Sequence, residues 1–401
     1  MAVENKQNTV KRTSKREQQK KKSRIIIFAV EIIVLAVLIV ALIIFKDFGE
    51  PSSSTADNGE SKGFFASVAE FFGFGDKEDT TSEVTKGPTI LDVDFDEEDL
   101  AINDQILEKP EIMEGYMNIA LFGVDSRSGE LVKGTLSDAI MIASVNMATG
   151  DIKLVSIYRD TYLNLGNDKY GKCNSAYSYG GAEQAMKMLN MNLDMNITEF
   201  VTVGFDGLAA TIDALGGVWL DVDEEELEHI NNYQKTMAED MKVSYVPVEE
   251  TGYQLLNGLQ ATAYCRIRYR TGNDYARAAA QREVLQAIAD EAKKADLSTL
   301  TKVINDVSPY VYTSFSMDEI LELAGDAAKY NLVDQTGFPH ADMRGSATLG
   351  SKGSCVYAID LEDNVAWLHE YLFGEANYEP SDSVKEYSDI IHDFVAQYVE
   401  F

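Results

Sequence analysis

The run Ile25–Phe45, IIIFAVEIIVLAVLIVALIIF, constrains this chain more than any other stretch: it has 21 residues and a single carboxylate, Glu31. At about 1.5 Å rise per residue, a helix of that length crosses the roughly 30 Å hydrocarbon core of a bilayer. The two flanks differ in charge. Residues 1–24 hold nine Lys or Arg against Glu4 and Glu17, net +7, and taking that from the total of −31 leaves −38 for the rest. Basic residues beside a span stay on the cytoplasmic side. Residues 1–24 are therefore expected to form a cytoplasmic basic arm and 25–45 a transmembrane helix, with the 356 residues beyond them outside the cytoplasm, in a single-pass protein of the cell membrane. A cleavable leader is the rival reading, but the apolar run exceeds the roughly 7 to 15 residues of an h-region and no small-residue cleavage site follows. Glu31 is expected to be protonated, to face a partner helix, or to snorkel toward the basic end.

The acidic surplus excludes a nucleic-acid partner for the exported part, because affinity for phosphate backbones needs the opposite balance. The basic arm is too short to fold alone and has a plainer role as a topology determinant with affinity for anionic membrane lipid. Cys173, Cys265 and Cys355 are too few for a disulfide framework and lack metal-ligand spacing, so they read as small buried side chains. A single Cys173–Cys265 bridge stays open at this point.

Residues 46–114 have the composition of an extracytoplasmic linker or stalk, with GEPSSSTADNGESKG polar and LDVDFDEEDL acidic. The aromatic segment Gly63–Gly75 reads equally as an interfacial helix or as packing on the folded part. From Met117 the texture changes. MNIALFGV, AIMIASVNM and IKLVSIY are β-favouring runs separated by turn residues. Gly181–Leu193 and Phe205–Gly216 carry helical spacing, with strands at Ile197–Gly204 and Val218–Val222. After a polar insertion around Glu224–Glu250, helices are expected from Asn257, from Asp274 to Lys294, near Leu297–Asp306, and from Ser316 with a capping box to Glu319. A strand at Ser354–Ile359 and a helix at Asp363–Phe373 follow. Alternating strands and helices predict a layered α/β domain over 115–375, with 376–401 as a C-terminal tail.

Three features could carry chemistry. The first strand ends in Gly123-Val124-Asp125-Ser126-Arg127, Ser137-Asp138 opens the next, and Arg159-Asp160-Thr161 ends the one after it. That brings three acids and two arginines to one sheet edge, where α/β proteins usually build their sites. Paired carboxylates suit a hard divalent cation, and guanidinium forks suit phosphate oxygens. In this base-poor chain, Arg266, Arg268, Arg270, Arg277 and Arg282 fall within 17 residues. Asp274, Arg277 and Gln281 recur on one helical stripe, and Lys172 with Asn174 adds a further cation. A structural ion-pair network is the competing account. Ala182, Ala185, Met186 and Leu189 form an apolar stripe that reads as core or as the wall of a lipid tunnel.

The stretches NIALFGVDSR, SDAIMIASVN, IKLVSIYRDTYL, GKCNSAYSYGG, GFDGLAATIDALGGVWLDV, GYQLLNGLQATAYCRIRYR and NDYARAAAQREVLQAI, collinear from about Met117 to Ile288, resemble the LytR-CpsA-Psr family of cell-envelope glycopolymer transferases. The resemblance implies an αβα sandwich around a mixed sheet, preceded by one transmembrane helix and carrying a hydrophobic cleft for a polyprenyl chain. It also implies a Mg²⁺-dependent phosphotransferase, with Mn²⁺ as the alternative metal. Such an enzyme moves a phosphoglycosyl polymer, wall teichoic acid or capsule, from an undecaprenyl pyrophosphate carrier to peptidoglycan. By motif position Asp125 and Asp138 correspond to the metal carboxylates, and Arg159, Arg266, Arg268 and Arg277 to the pyrophosphate clamp. Arg127, Lys172 and Gln281 support the head group. Phosphoryl transfer needs charge neutralisation and in-line positioning more than a protein nucleophile, and His229, His340, His369 and His392 all lie outside these motifs. Asp125 or Asp138 is the expected aid to deprotonation of the acceptor hydroxyl. The chain departs from the family pattern at Leu136 and Ala280, where Arg is common, which puts substrate preference in question. A carrier-binding regulator without turnover and a polyprenyl pyrophosphate hydrolase are the alternatives.

Overall fold

The computed structural model describes residues 89–90, 99–124, 131–167, 169–267, 273–295, 299, 303, 306–307, 310–316 and 330–401. The expected arm, span and Glu31, the aromatic segment, most of the stalk, the helix from Ser316, and Asp125, Arg127 and Arg268 lie outside these residues. Among the described residues, no helix is long and apolar enough to cross a membrane.

The strands are β1 (Thr89–Ile90), β2 (Tyr116–Val124), β3 (Ser137–Asn146), β4 (Asp151–Ile157), β5 (Tyr162–Asn164), β6 (Tyr170–Lys172), β7 (Glu199–Gly204), β8 (Val218–Val222), β9 (Gly252–Leu256), β10 (Val311–Thr313), β11 (Asn331–Phe338), β12 (Arg344–Thr348) and β13 (Ser354–Ala358). The helices are α1 (Asp104–Glu108), α2 (Ser175–Leu193), α3 (Phe205–Leu215), α4 (Glu224–Met241), α5 (Gly258–Arg266), α6 (Asn273–Ala292), α7 (Leu361–Phe373) and α8 (Asp382–Val395). Seven strands form one sheet in the order β1-β10-β7-β2-β3-β4-β11. It is mixed: β2 runs antiparallel to β3 but parallel to β7, and β4 runs parallel to β11.

The central strands are apolar almost throughout because helices cover both faces. Ile119, Leu121, Met141, Leu154 and Val201 pack with Ile212 of α3, Ile230 of α4, Ala263 of α5 and Val284 of α6. On the other face Ala120, Phe122, Ile140, Val155 and Phe200 pack with α2, α7 and α8. This is the three-layer sandwich around a mixed sheet. Ala182, Ala185, Met186 and Leu189 are at most 2% exposed within the second layer, so that stripe is core.

Three expectations about the elements need adjusting. Residues 224–241 form an 18-residue helix rather than a polar insertion. Asp223 and Glu226 close a capping box, three glutamates sit in the first turn where the helix dipole favours them, and Ile230, Gln234, Met237 and Ala238 are buried. The strand at Val218–Val222 pairs with β9 in a separate hairpin, not with the main sheet. Residues 376–401, set apart as a tail, contain α8, whose Val384, Ile391 and Val395 are buried in the second layer. Asn257 does cap α5, with Gln260 completing the box. All three cysteines are buried free thiols.

Candidate active site

Asp138 owes its position to a break in the sheet register. Gly123 pairs with Ala139 and Val124 with Ser137, so Asp138 is the extra residue of a β-bulge, a device that re-aims one side chain away from the ladder. Gly123 is required here: a Cβ on it would lie 2.9 Å from the Ala139 Cβ. The bulge presents Asp138 to Arg159, just beyond the end of β4. Arg159 Nη1 donates to Asp138 Oδ1 at 2.5 Å.

Arg159 is the centre of a cluster. Its Nε lies 3.5 Å from Asp274 Oδ1 on the first turn of α6, and Arg277 Nη2 holds the same oxygen at 2.8 Å. Asp160 pairs with Lys172 at 3.1 Å and hydrogen-bonds to Asp274. Burial disfavours the Arg159 charge, but Asp138, Asp274 and Asp160 outweigh it and hold the guanidinium more firmly protonated than usual. Asp160 moves upward, first by burial and then through its hydrogen bond and repulsion with Asp274. Arg159 Nε is buried without a hydrogen-bond acceptor among the described residues, and an unmet donor inside a charged cluster is what an incoming phosphate oxygen or a water would satisfy.

An apolar cleft of about 640 Å³, its open mouth included, lies beside this cluster, lined by Leu121 and Gly123 of β2, Val203 of β7, Phe205 and Leu208 of α3 and Leu285 of α6, among others. Gln281 reaches its wall. Arg277 and Gln281 stand one turn apart on α6, so one helix face joins the charged cluster to the mouth of the cleft. Arg266, at the end of α5, lies over the Phe205 ring at 4.6 Å and so meets the site through the cleft wall. Ile267 turns the chain out of the helix into an extended conformation before Arg268.

Of the expected site residues, Asp138, Arg159, Lys172 and Arg277 thus fall in one connected cluster, with Gln281 and Arg266 on the cleft. Arg282 does not join them: it points back to donate to Ser156 Oγ of β4 at 2.8 Å, and burial lowers its pKa. Ala280 is 1% exposed in the apolar layer, whereas Leu136 is 46% exposed. Sequence reasoning passed over Arg344. It stacks on Tyr275 at 3.7 Å and on Tyr158 at 4.8 Å, and donates to the Tyr158 hydroxyl at 2.8 Å, immediately beside Arg159 and Asp274. Arg344 lies outside the collinear motifs, and nothing local in its sequence marked it. Asp160 was visible in the Arg-Asp-Thr triplet, but its partnership with Asp274, 114 positions on, is a product of the fold.

Mg²⁺ takes oxygen donors, commonly one or two carboxylates completed by phosphate and water. Among the described residues no group of three acidic, His or Cys side chains forms a ready cage. A single carboxylate, Asp138, held against Arg159 next to the cleft-lining Ala139, fits that sparser kind of binding.

Fold and site together define a three-layer α/β protein with a cluster of paired charges at a sheet edge beside an apolar cleft. The LytR_cpsA_psr family matches residues 90–366, and the chain belongs to it. It is 30% identical over 230 residues, 55% of this chain and 71% of the relative, to a polyisoprenyl-teichoic acid–peptidoglycan teichoic acid transferase, TagU, of Enterococcus faecalis. It is 28% identical over 306 residues, 67% of this chain and 72% of the relative, to biofilm regulatory protein A of Streptococcus mutans. Among solved structures, one from Enterococcus faecalis, described as a transcriptional regulator, matches with a TM-score of 0.55 at 21% identity over 72% of this chain and 98% of that one. TagT bound to LI-WTA matches at 0.51 and 20% identity over 74% and 99%. At such identities the likeness is one of fold.

Proposed function

We propose that this protein is a membrane-anchored, extracytoplasmic phosphotransferase that moves a phosphoglycosyl polymer, such as wall teichoic acid, from an undecaprenyl pyrophosphate carrier to peptidoglycan. The observation that carries the reading is the continuity along α6: Arg277 in the charged cluster and Gln281 on the apolar cleft suit a ligand with a pyrophosphate head and a prenyl tail. The naming of the Enterococcus relative as a teichoic acid transferase supports it. The prenyl chain occupies the cleft. Arg159 and Arg277, with Arg266, Arg268 and Arg127 from the family pattern, neutralise the pyrophosphate, while Lys172 and Gln281 orient it. Asp138, with Asp125, would hold Mg²⁺ or Mn²⁺, which when bound supplies further neutralisation of phosphate charge.

The acceptor hydroxyl oxygen forms a bond to the phosphorus attached to the sugar, and the bond from that phosphorus to the oxygen of polyprenyl phosphate breaks, with attacking and leaving oxygens in line. Asp138 is placed against Arg159 and the metal, so Asp160, whose pKa burial raises although Lys172 opposes it, is the better carboxylate to take the hydroxyl proton.

The test is mass spectrometry of the full-length protein in detergent with a polyprenyl pyrophosphate oligosaccharide, Mg²⁺ and a peptidoglycan oligomer. Glycan phosphate joined to the oligomer, with polyprenyl phosphate released, is the expected product, and Arg159→Ala lowers its rate by about 10²-fold or more. Binding without product would make the protein a carrier-binding regulator. Product released to water at an undiminished rate without acceptor would make it a hydrolase.

A further inference from the structure

A second cavity lies on the opposite face of the sheet from the apolar cleft. It encloses about 920 Å³ including its mouth, between the β5–β6 hairpin and the start of α2. Lys169, Lys172 and Lys352 line it together with Tyr162, Tyr170 and Tyr179, and among the described residues no Asp or Glu does. That is unexpected in a chain with 66 acidic and 35 basic side chains. Nor do Lys169 and Lys352 form an ion pair with any described carboxylate. The Lys169 ammonium lies 5.6 Å from the centre of the Tyr179 ring, and Lys352 donates to the Tyr170 carbonyl at 2.6 Å. Tyr179 is 55% exposed and lines the cavity. Ammonium point charges beside flat aromatic faces suit a ligand that combines carboxylates with the C–H faces of sugar rings.

The cavity is not isolated from the chemistry. Lys172 belongs both to its wall and to the ion pair with Asp160, which reaches Arg159 through Asp274. The reaction centre therefore separates an apolar cleft on one face from a cationic, aromatic cavity on the other. An in-line displacement needs the incoming oxygen opposite the leaving one. With polyprenyl phosphate departing toward the cleft, the attacking hydroxyl arrives from the side of the lysines.

We propose that this cavity is the acceptor subsite, and that it binds a glycan strand carrying carboxylates, of the kind peptidoglycan supplies through its stem peptides. The proposal rests on the transferase reading and adds to it the place and the recognition chemistry of the second substrate. Lys169 and Lys352 hold the acceptor's carboxylates, Tyr179 and Tyr170 stack on its sugar rings, and Lys172 faces the end nearest the reacting phosphorus.

The experiment measures binding of three probes to the full-length protein in detergent: a peptidoglycan oligomer with free stem-peptide carboxylates, a neutral N-acetylglucosamine oligomer of equal length, and a phosphate-bearing glycan free of lipid. Wild type is compared with the Lys169→Gln/Lys352→Gln double variant and with Lys169→Arg/Lys352→Arg. The expected result is about tenfold weaker binding of the carboxylated oligomer by the Gln variant, recovery in the Arg variant, and unchanged polyprenyl pyrophosphate binding and melting temperature. In the transfer assay, KM for acceptor rises while kcat is largely kept. Wild-type affinity of the Gln variant for the carboxylated oligomer would overturn the proposal. So would a larger loss for the phosphate-bearing glycan, which would make the cavity a donor subsite, or an equal loss for the neutral oligomer. A wild-type protein that binds all its ligands but transfers nothing would count against the transferase reading, while the three binding comparisons keep their meaning.

Discussion

Asp160, just past the end of β4, and Asp274, in the first turn of α6, are hydrogen-bonded carboxyl groups. Burial first, and then the bond and repulsion with Asp274, disfavour the Asp160 carboxylate, so the fold holds its proton more tightly than the unfolded chain does. A group whose pKa is raised on folding contributes stability that is fully present below its ordinary value, here 3.8, and that is lost as the pH rises through the raised value. Asp160→Asn removes the titration. Melting temperatures measured from pH 4 to pH 7 are expected to decline less steeply with pH in the variant than in wild type over the window opening at 3.8. Parallel curves would place that proton elsewhere.

The cleft gives a prediction that separates binding from folding. Leu208 of α3 lines it and is only partly buried, so added bulk there enters the cleft before it meets the core. Leu208→Trp is expected to weaken binding of a polyprenyl phosphate by about tenfold, with little change in melting temperature. Fluorescence titration with a short prenyl phosphate measures the first quantity and calorimetry the second. Undiminished prenyl binding would move the lipid to another surface.

The strands were legible in the sequence because two covering layers turn β2, β3 and β4 into continuous apolar runs, and the repeated Asp-Arg pairs mark the sheet edge. α4 was not legible, since it is polar on most of its surface and buries only a narrow stripe that includes Ile230 and Met237. The two-sided arrangement of the site was equally hidden. Lys172 could be read as a head-group cation, but its companions Lys169 and Lys352 are 183 positions apart and meet only because the β5–β6 hairpin packs against the turn before β13. The bulge that exposes Asp138 is a matter of strand register, which composition does not reveal.

Residues 131–132, ahead of β3, are anchored by a kink in α2. Gly181 has φ +69°, and a Cβ there would lie 2.2 Å from the Val132 carbonyl oxygen; the Tyr177 hydroxyl donates to the Leu131 carbonyl at 2.6 Å. Gly181→Ala therefore combines backbone strain with a direct clash, at a cost of about 2 kcal/mol or more. Because Asp125 and Arg127 lie only a few positions earlier in the sequence, transfer is expected to fall further than the lost stability explains. Activity assayed well below the melting temperature tests this, and a variant as active as wild type would detach the segment from catalysis.

His369 offers a contrasting pH effect. It is fully buried, stacks on Tyr378 at 3.6 Å and bonds through Nε2 to the Leu193 carbonyl, while Nδ1 has no partner among the described residues. Burial lowers its pKa from 6.5 to about 4. A depressed histidine contributes stability above its ordinary pKa and loses it as the pH falls toward the folded value, because the unfolded chain takes up the proton first. The gap amounts to about 3 kcal/mol. Asp194, bonded to Tyr378 and Ser381, also titrates near this place, but it is present in both wild type and His369→Gln, so their difference isolates the imidazole. Wild type is expected to lose stability between pH 6.5 and pH 4 relative to His369→Gln, which starts from a lower melting temperature at pH 7 because its shorter side chain leaves the Tyr378 ring less well packed. Denaturant unfolding across that range measures the difference, and a constant gap between the two proteins would mean that the imidazole finds a partner for its second proton as the acid state forms.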